Sequence, residues 1–187
     1  IKYSKFIKDK SKDIDPNLLE FFNLRNDKNK FYDKIFYILE LKKKLKSVCL
    51  DFMMSKLTTI EDTIKSLKEA LYTESKSSVG DKHETGRAML QLEMEKAGQQ
   101  LKFVSKMKLI VEKMNVSSLT EVGSLGAVLK TEEGMYFIGV SVGVVQFEAK
   151  NYFIVSPSSP IGQKLLGKRK NDTFRFQGKE VYVQEVF

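Results

Sequence analysis

The chain reads as an α+β protein: a long antiparallel α-helical coiled-coil hairpin followed by a small antiparallel β domain with one short helix. Three observations predict this. Between Asn17 and Val79 there is neither glycine nor proline, and because those two residues punctuate regular structure, so long an unbroken stretch reads as helix. In the middle of the chain, apolar residues recur by alternating steps of three and four, the spacing of a helix with one buried seam. Beyond Val122, glycines recur among β-branched and aromatic residues, the composition of short strands joined by turns.

Residues 1–40 are rich in Lys, Asn, Ile, Phe and Tyr, with Pro16 placed to open a short helix through Asn23. They read as a partly helical extension of unclear status. Residues 41–114 are the hairpin. Met53, Leu57, Ile60, Ile64, Leu67 and Leu71 form one stripe, which Leu41, Leu45, Val48 and Phe52 continue upstream with a one-residue phase shift. Leu90, Met94, Ala97, Leu101 and Val104 form a second stripe that reaches Val111 and Met114. The small, polar run Ser75 to Asp81 between them is the turn, so each arm buries the other's seam. At about 1.5 Å per residue each arm is on the order of 45 Å long. Such an arm has little core of its own and needs an anchor.

Residues 115–187 supply one. Val122–Lys130, Met135–Val142, Val144–Lys150 and Tyr152–Ser156 read as strands, and Thr173–Gln177 with Glu180–Phe187 as a closing hairpin turned at Gly178. Ser159-Pro160 is a helix start, Ser as N-cap and Pro in the first turn, and the helix stops at Gly167.

Composition limits the function classes. At 187 residues, 42% hydrophobic and 30% charged, the chain can bury a real core, which excludes full disorder. One cysteine (Cys49) and one histidine (His83) exclude a disulfide framework and a Cys/His zinc site. A lone Cys49 in the helical seam fits a reducing, cytoplasmic setting as an inert packing residue. The longest apolar stretch, Met135 to Phe147, is interrupted by Gly139, Ser141 and Gly143 and is too short for a membrane helix. No cleavable signal pattern opens the sequence, which begins at Ile1 as a fragment or a processed form does. No P-loop, dinucleotide fingerprint or nucleophile-plus-histidine arrangement is present.

The net charge of +8 favours a polyanionic partner in general terms. It divides into +2, +5 and +1 over residues 1–40, 41–114 and 115–187, so most of it lies on the hairpin. Lys42, Lys43, Lys44 and Lys46 gather near the hairpin base, where they face RNA, an acidic wall or simply solvent. The segment from Glu74 to Glu84 carries three acids against two lysines, a change of sign at the tip.

The tip reads Gly80-Asp81-Lys82-His83-Glu84-Thr85-Gly86-Arg87. Asp81 and Glu84 stand three apart at the start of the second helix, so both carboxylates fall on one face. They are hard oxygen ligands suited to Mg²⁺, but two carboxylates do not make a full magnesium site. The same spacing is a capping box, in which Asp caps the helix and Glu reaches back to it. Both readings stand. His83 between the acids suits proton transfer, a phosphate contact or a plain solvated loop. Arg87 either reaches a partner or supports Glu84.

An Asp-x-x-Glu after glycine, at the end of a long hairpin that precedes a small β domain, resembles the Gre family of bacterial transcript-cleavage factors. The family's tip motif is Gly-Asp-x-x-Glu-Asn; here Gly80, Asp81 and Glu84 match and Thr85 takes the Asn position. A second segment, Ser156 to Lys168 followed by Asn171-Asp172, is similar to the family's Ser-Pro-Ile-Gly-x-x-Leu-Leu-Gly-Lys and Gly-Asp run. Asn171 stands where glycine is common, and asparagine tolerates the left-handed backbone. The resemblance covers about residues 41–187.

The resemblance implies an FKBP-like C-terminal domain and a transcription elongation factor that is not itself an enzyme. Such a factor is a monomer whose partners are bacterial RNA polymerase and the nascent RNA 3′ end, with no membrane involved. It inserts the hairpin into the secondary channel of backtracked polymerase, where the tip acids help hold the second Mg²⁺ of the polymerase's own active site. Asp81 is then the metal ligand acting in trans, Glu84 orients water or supports the metal, and Lys82, His83 and Arg87 are contacts to RNA or polymerase. Thr85 leaves open a relative that occupies the channel and regulates polymerase without stimulating cleavage. A peptidyl-prolyl isomerase or chaperone acting through the β domain is the remaining alternative, disfavoured by a short domain with no Trp.

Overall fold

A computed structural model describes the backbone of residues 28–76 and 81–187, and the side chains of 30–74 and 85–187. The expected short helix after Pro16 lies outside the described residues, as does the turn at 77–80. Two long helices, α1 (Lys28–Lys76) and α2 (Asp81–Lys113), precede a six-stranded sheet. The strands are β1 (Val128–Thr131), β2 (Met135–Ile138), β3 (Gly143–Phe147), β4 (Lys150–Val155), β5 (Thr173–Phe176) and β6 (Lys179–Val186), with α3 (Pro160–Leu165) between β4 and β5.

Helix α1 begins at Lys28, well before residue 41, where the sequence reading started the hairpin. The reason is visible in its buried face. Phe31, Ile38 and Leu45 repeat every seven residues and continue the seam upstream onto the sheet. Farther out, Met53, Ile60 and Leu67 of α1 and Ala97, Val104 and Val111 of α2 repeat at the same interval and are all buried. The intervening Leu57, Ile64 and Leu101 are half-buried. Two helices cover only one stripe of each other, so much of the arm stays wet; Met89 near its outer end is 63% exposed.

The helices run antiparallel, and two lysines of α1 fix the register at their base. Lys46 Nζ donates to the Met114 carbonyl at 2.8 Å, and Lys42 Nζ donates to the Ser118 carbonyl at 2.8 Å. The last carbonyls of a helix lack intrahelical partners and carry the negative end of its dipole, so cations are favoured there. Asn115 shapes the exit from α2: its Oδ1 accepts from Ser117 N–H at 3.0 Å and its Nδ2 donates to Ser118 Oγ at 3.0 Å.

The sheet has strand order β3-β4-β2-β1-β6-β5. It is mixed, which corrects the expectation of an all-antiparallel sheet: β2 and β4 pair in parallel, from Met135 opposite Tyr152 to Ile138 opposite Val155. The chain leaves β2 at Gly139, passes outward to the edge as β3, and returns in a hairpin to fill the slot beside β2. That detour supplies the crossover a parallel pair requires. The hairpin turn is Glu148-Ala149, both with positive φ, as a two-residue turn of this hand demands. Strand β1 starts at Val128, later than the expected Val122, because the chain before it is turned, with Gly126 at φ +85°. Gln177 and Gly178, both at positive φ, turn β5 into β6 where the sequence placed that turn.

Alternation along the strands feeds two cores. Val128, Phe137, Tyr152 and Ile154 join the core that holds the hairpin base, together with Leu41, Leu45, Cys49 and Met114. Leu129, Ile138, Val181 and Val183 face the other side, where Leu165 of α3 covers them. A bulge in β6 leaves Gln184 without a partner opposite β1. This extra residue shifts the alternation, so Val186 shares the α3 side with Val183 while Phe187 packs under the hairpin.

Candidate functional site at the hairpin tip

Towards the end of the arm, α1 runs to Lys76 and α2 begins at Asp81. Helix α2 opens at Asp81, so Asp81 and Glu84 both lie in its first turn, three residues apart on one face of the backbone. The side chains of Asp81, Lys82, His83 and Glu84 are outside the described residues. Helix α2 has 33 residues, so at 1.5 Å per residue its start lies about 50 Å from the end that docks on the sheet.

The shoulder of the tip is described. Thr85 and Arg87 are exposed. The Glu74 carboxylate of α1 lies against Gly86 of α2, where an added Cβ would stand 3.8 Å from Glu74 Oε1. Below this contact, an open groove lined by Thr73, Glu74, Met89 and Glu93 runs between the helices. Tyr72 and Met89 are largely exposed there. The described shoulder thus carries the carboxylates of Glu74 and Glu93 along the groove and an exposed Arg87 one turn beyond Glu84 in sequence. Among the described residues, no three His, Cys, Asp or Glu side chains gather as a metal cluster.

The basic group at the arm's base looks different from its reading in the sequence. Lys42 is 1% exposed, and burial lowers its pKa to about 8. Lys43 pairs with Glu40 at 2.8 Å, and Lys44 sits over the Phe147 ring at 4.5 Å. With Lys46 on the Met114 carbonyl, all four have local structural partners. Cys49 is fully buried beside Gly139 and Met114, and burial pushes its thiol pKa up, as an inert packing residue requires.

The second motif, Ser156 to Lys168, is structural throughout. Ser159 Oγ accepts from Gly162 N–H at 3.1 Å and donates to the Ser156 carbonyl at 2.7 Å, so it caps α3 and closes the loop before it. Gly162 faces the Ser156 carbonyl so closely that a Cβ would collide with it. Leu165 is fully buried, and Asn171 adopts φ +73°, the left-handed conformation expected of it. A cleft between α1 and the sheet, lined in part by Tyr37 and Lys150, was not anticipated from the sequence. The only signal for it was the sevenfold repeat through Phe31 and Ile38, which carries α1 across the sheet.

Comparison with protein-family models, curated proteins and solved structures finds no match to this chain.

Proposed function

We propose that this chain is a Gre-type transcription elongation factor that inserts its helical hairpin into the secondary channel of bacterial RNA polymerase and stimulates cleavage of backtracked transcripts. The observation that carries the reading is the placement of Asp81 and Glu84 in the first turn of α2, about 50 Å from the sheet that anchors the arm. A thin two-helix probe of that reach suits a narrow channel, and acids at its end suit delivery to a metal. The coiled-coil character of the arm and an FKBP-like identity for the sheet domain belong to the same proposal.

The chemistry is two-metal phosphodiester hydrolysis, in which the polymerase holds the reacting RNA and one Mg²⁺ firmly. The second Mg²⁺ keeps several waters and takes few protein ligands, so one or two carboxylates supplied in trans are enough to complete its shell. Asp81 ligates and Glu84 orients the attacking water. Lys82, His83 and Arg87 flank the phosphate backbone of the extruded RNA.

The test is RNA cleavage in stalled, backtracked complexes with purified polymerase and Mg²⁺. The chain is expected to shorten the transcript faster than polymerase alone. Asp81→Asn keeps a helix-capping side chain but is a poorer metal ligand. It is therefore expected to preserve helicity and polymerase binding while cleavage falls by about 100-fold or more, the scale of an interaction made chiefly in the transition state. Polymerase binding without any cleavage by the unmodified chain would leave a channel-occupying regulator, with Thr85 the first residue to exchange for Asn. Failure to bind polymerase would remove the proposal altogether.

A further inference from the structure

At the opposite end of the arm from the tip, a cleft of about 360 Å³ opens between α1 and one face of the sheet. Its floor is apolar and well buried, made by Ile38 and Leu41 of α1 and by Phe187 after β6. Its rim is cationic: Lys34 on α1, Lys130 on β1 and Lys150 on β4, against the single carboxylate of Glu185. Glu185 is engaged by Lys34 at 3.5 Å, which leaves the positive excess on Lys130 and Lys150, both exposed. Lys150 Nζ lies 5.9 Å from the centre of the Tyr37 ring. The Tyr37 hydroxyl is buried beside the Tyr152 phenol. The Tyr152 pKa is raised chiefly by burial and further by a hydrogen bond with Tyr37 and by the charges of Tyr37 and Glu148.

The cleft therefore pairs an apolar floor with a surplus of donors. A bare inorganic anion would leave the floor unused, and a neutral apolar molecule would gain nothing from the positive charge of Lys130 and Lys150 at the rim. The volume is at the small end of the range for small-molecule sites, and the helix closes one side, which leaves no room for an added strand or helix. At about 30 Å³ per water-sized unit it holds on the order of a dozen non-hydrogen atoms. We infer that this cleft binds a small amphiphilic carboxylate, its chain of about ten carbons lying on Ile38, Leu41 and Phe187 and its carboxylate held by Lys130 and Lys150. A modest rotation of Tyr37 away from Tyr152 gives its buried hydroxyl the same carboxylate as acceptor. Such a ligand touches both α1 and the sheet and fastens the arm to its base, whatever the tip does.

The test is calorimetric titration of the full chain with decanoate, kept below the concentration at which it forms micelles. Saturable binding at one site is expected, with 1-decanol weaker by about tenfold or more, because a charge-assisted hydrogen bond is lost. The double variant Lys130→Gln, Lys150→Gln removes two exposed charges and no core contact. It is expected to weaken decanoate by about tenfold and leave decanol unchanged, with the helical circular dichroism intact. Methyl NMR resonances of Ile38 and Met135 are expected to move on binding while those of Leu67, on the arm, stay still. Absence of saturable decanoate binding, equal affinity for decanoate and decanol, equally tight inorganic phosphate, or shifts confined to other methyls would each overturn the assignment.

Discussion

Lys42 has a neutral carbonyl, that of Ser118, as its hydrogen-bond partner, and almost no solvent to share its charge. Burial disfavours the ammonium, which is why the pKa drops from 10.5 to about 8. The consequence for stability has a definite sign. Below pH 8 the group is protonated in both the folded and the unfolded chain, and folding carries the full cost of burying the charge. Between pH 8 and 10.5 the unfolded chain holds the proton that the folded one has released, so this residue's contribution rises with pH and levels off above 10.5. The clean readout is a difference between two chains, in which the contributions of all other groups cancel. The unfolding free energy of the native chain minus that of Lys42→Met, from urea denaturation at several pH values, should increase from pH 8 to 10.5. A flat difference would mean that Lys42 keeps its proton in the folded state. In the sequence Lys42 was one of four clustered lysines, indistinguishable from its neighbours. What singles it out is the segment after α2 lying across it at Ser118, and a contact across 76 residues is not written in the local pattern. The tip acids are the reverse case. The place of Asp81 and Glu84 in the first turn of a helix was legible because three-residue spacing at a helix start is local.

Along the elements, burial in the arm falls with distance from the sheet. Leu45 and Cys49 sit in a core shared by both helices and several strands, whereas Leu67 meets only the facing helix and keeps 7% of its surface exposed. Leu45→Ala should therefore cost about 2–5 kcal/mol, the range for a fully enclosed core leucine. Leu67→Ala should cost about 1–2 kcal/mol less, because water reaches the vacated site and no closed cavity forms. Denaturant titration of the two variants checks the order. The same gradient predicts that backbone amides of α1 beyond about residue 65 exchange hydrogen faster than those around residue 49, since local opening there exposes less apolar surface. The stripes that define the arm were visible because heptad spacing is a local property. The stretch of α1 before residue 41 was not assigned to it, although Phe31 and Ile38 extend the same repeat. In the sheet, Gly178 announced its turn, whereas Glu148-Ala149 carries no Asn or Gly, so the expected strand from Val144 ran through it to Lys150. The parallel β2–β4 pair was hidden for another reason: both strands read as extended, and which neighbour each takes is decided by the path of β3 around them.

At the scale of the whole molecule, arm and sheet are joined by one core. Phe31, Ile38, Leu41 and Leu45 of the helix lie in the same cluster as Phe137, Tyr152 and Phe187 of the sheet side, so neither part has a complete apolar interior without the other. A two-helix arm alone buries one stripe per helix, and helices in water depend on such packing for most of their stability. Unfolding should then be a single transition, the loss of helical circular dichroism coinciding with the change in tyrosine fluorescence. Phe137 is the residue to probe, because it is fully buried on the hairpin side of β2 and makes no contact with the tip. Phe137→Ala should destabilise the chain by about 3–5 kcal/mol and move both signals to lower denaturant together. If the fluorescence transition moves and the helical one stays, the arm stands on its own seam and the shared core is only a surface of contact. If they move together, a change in the sheet is felt at the base of the arm. The long lever that carries Asp81 and Glu84 is then held by the same residues that hold the sheet, and its rigidity at the tip is set about 50 Å away.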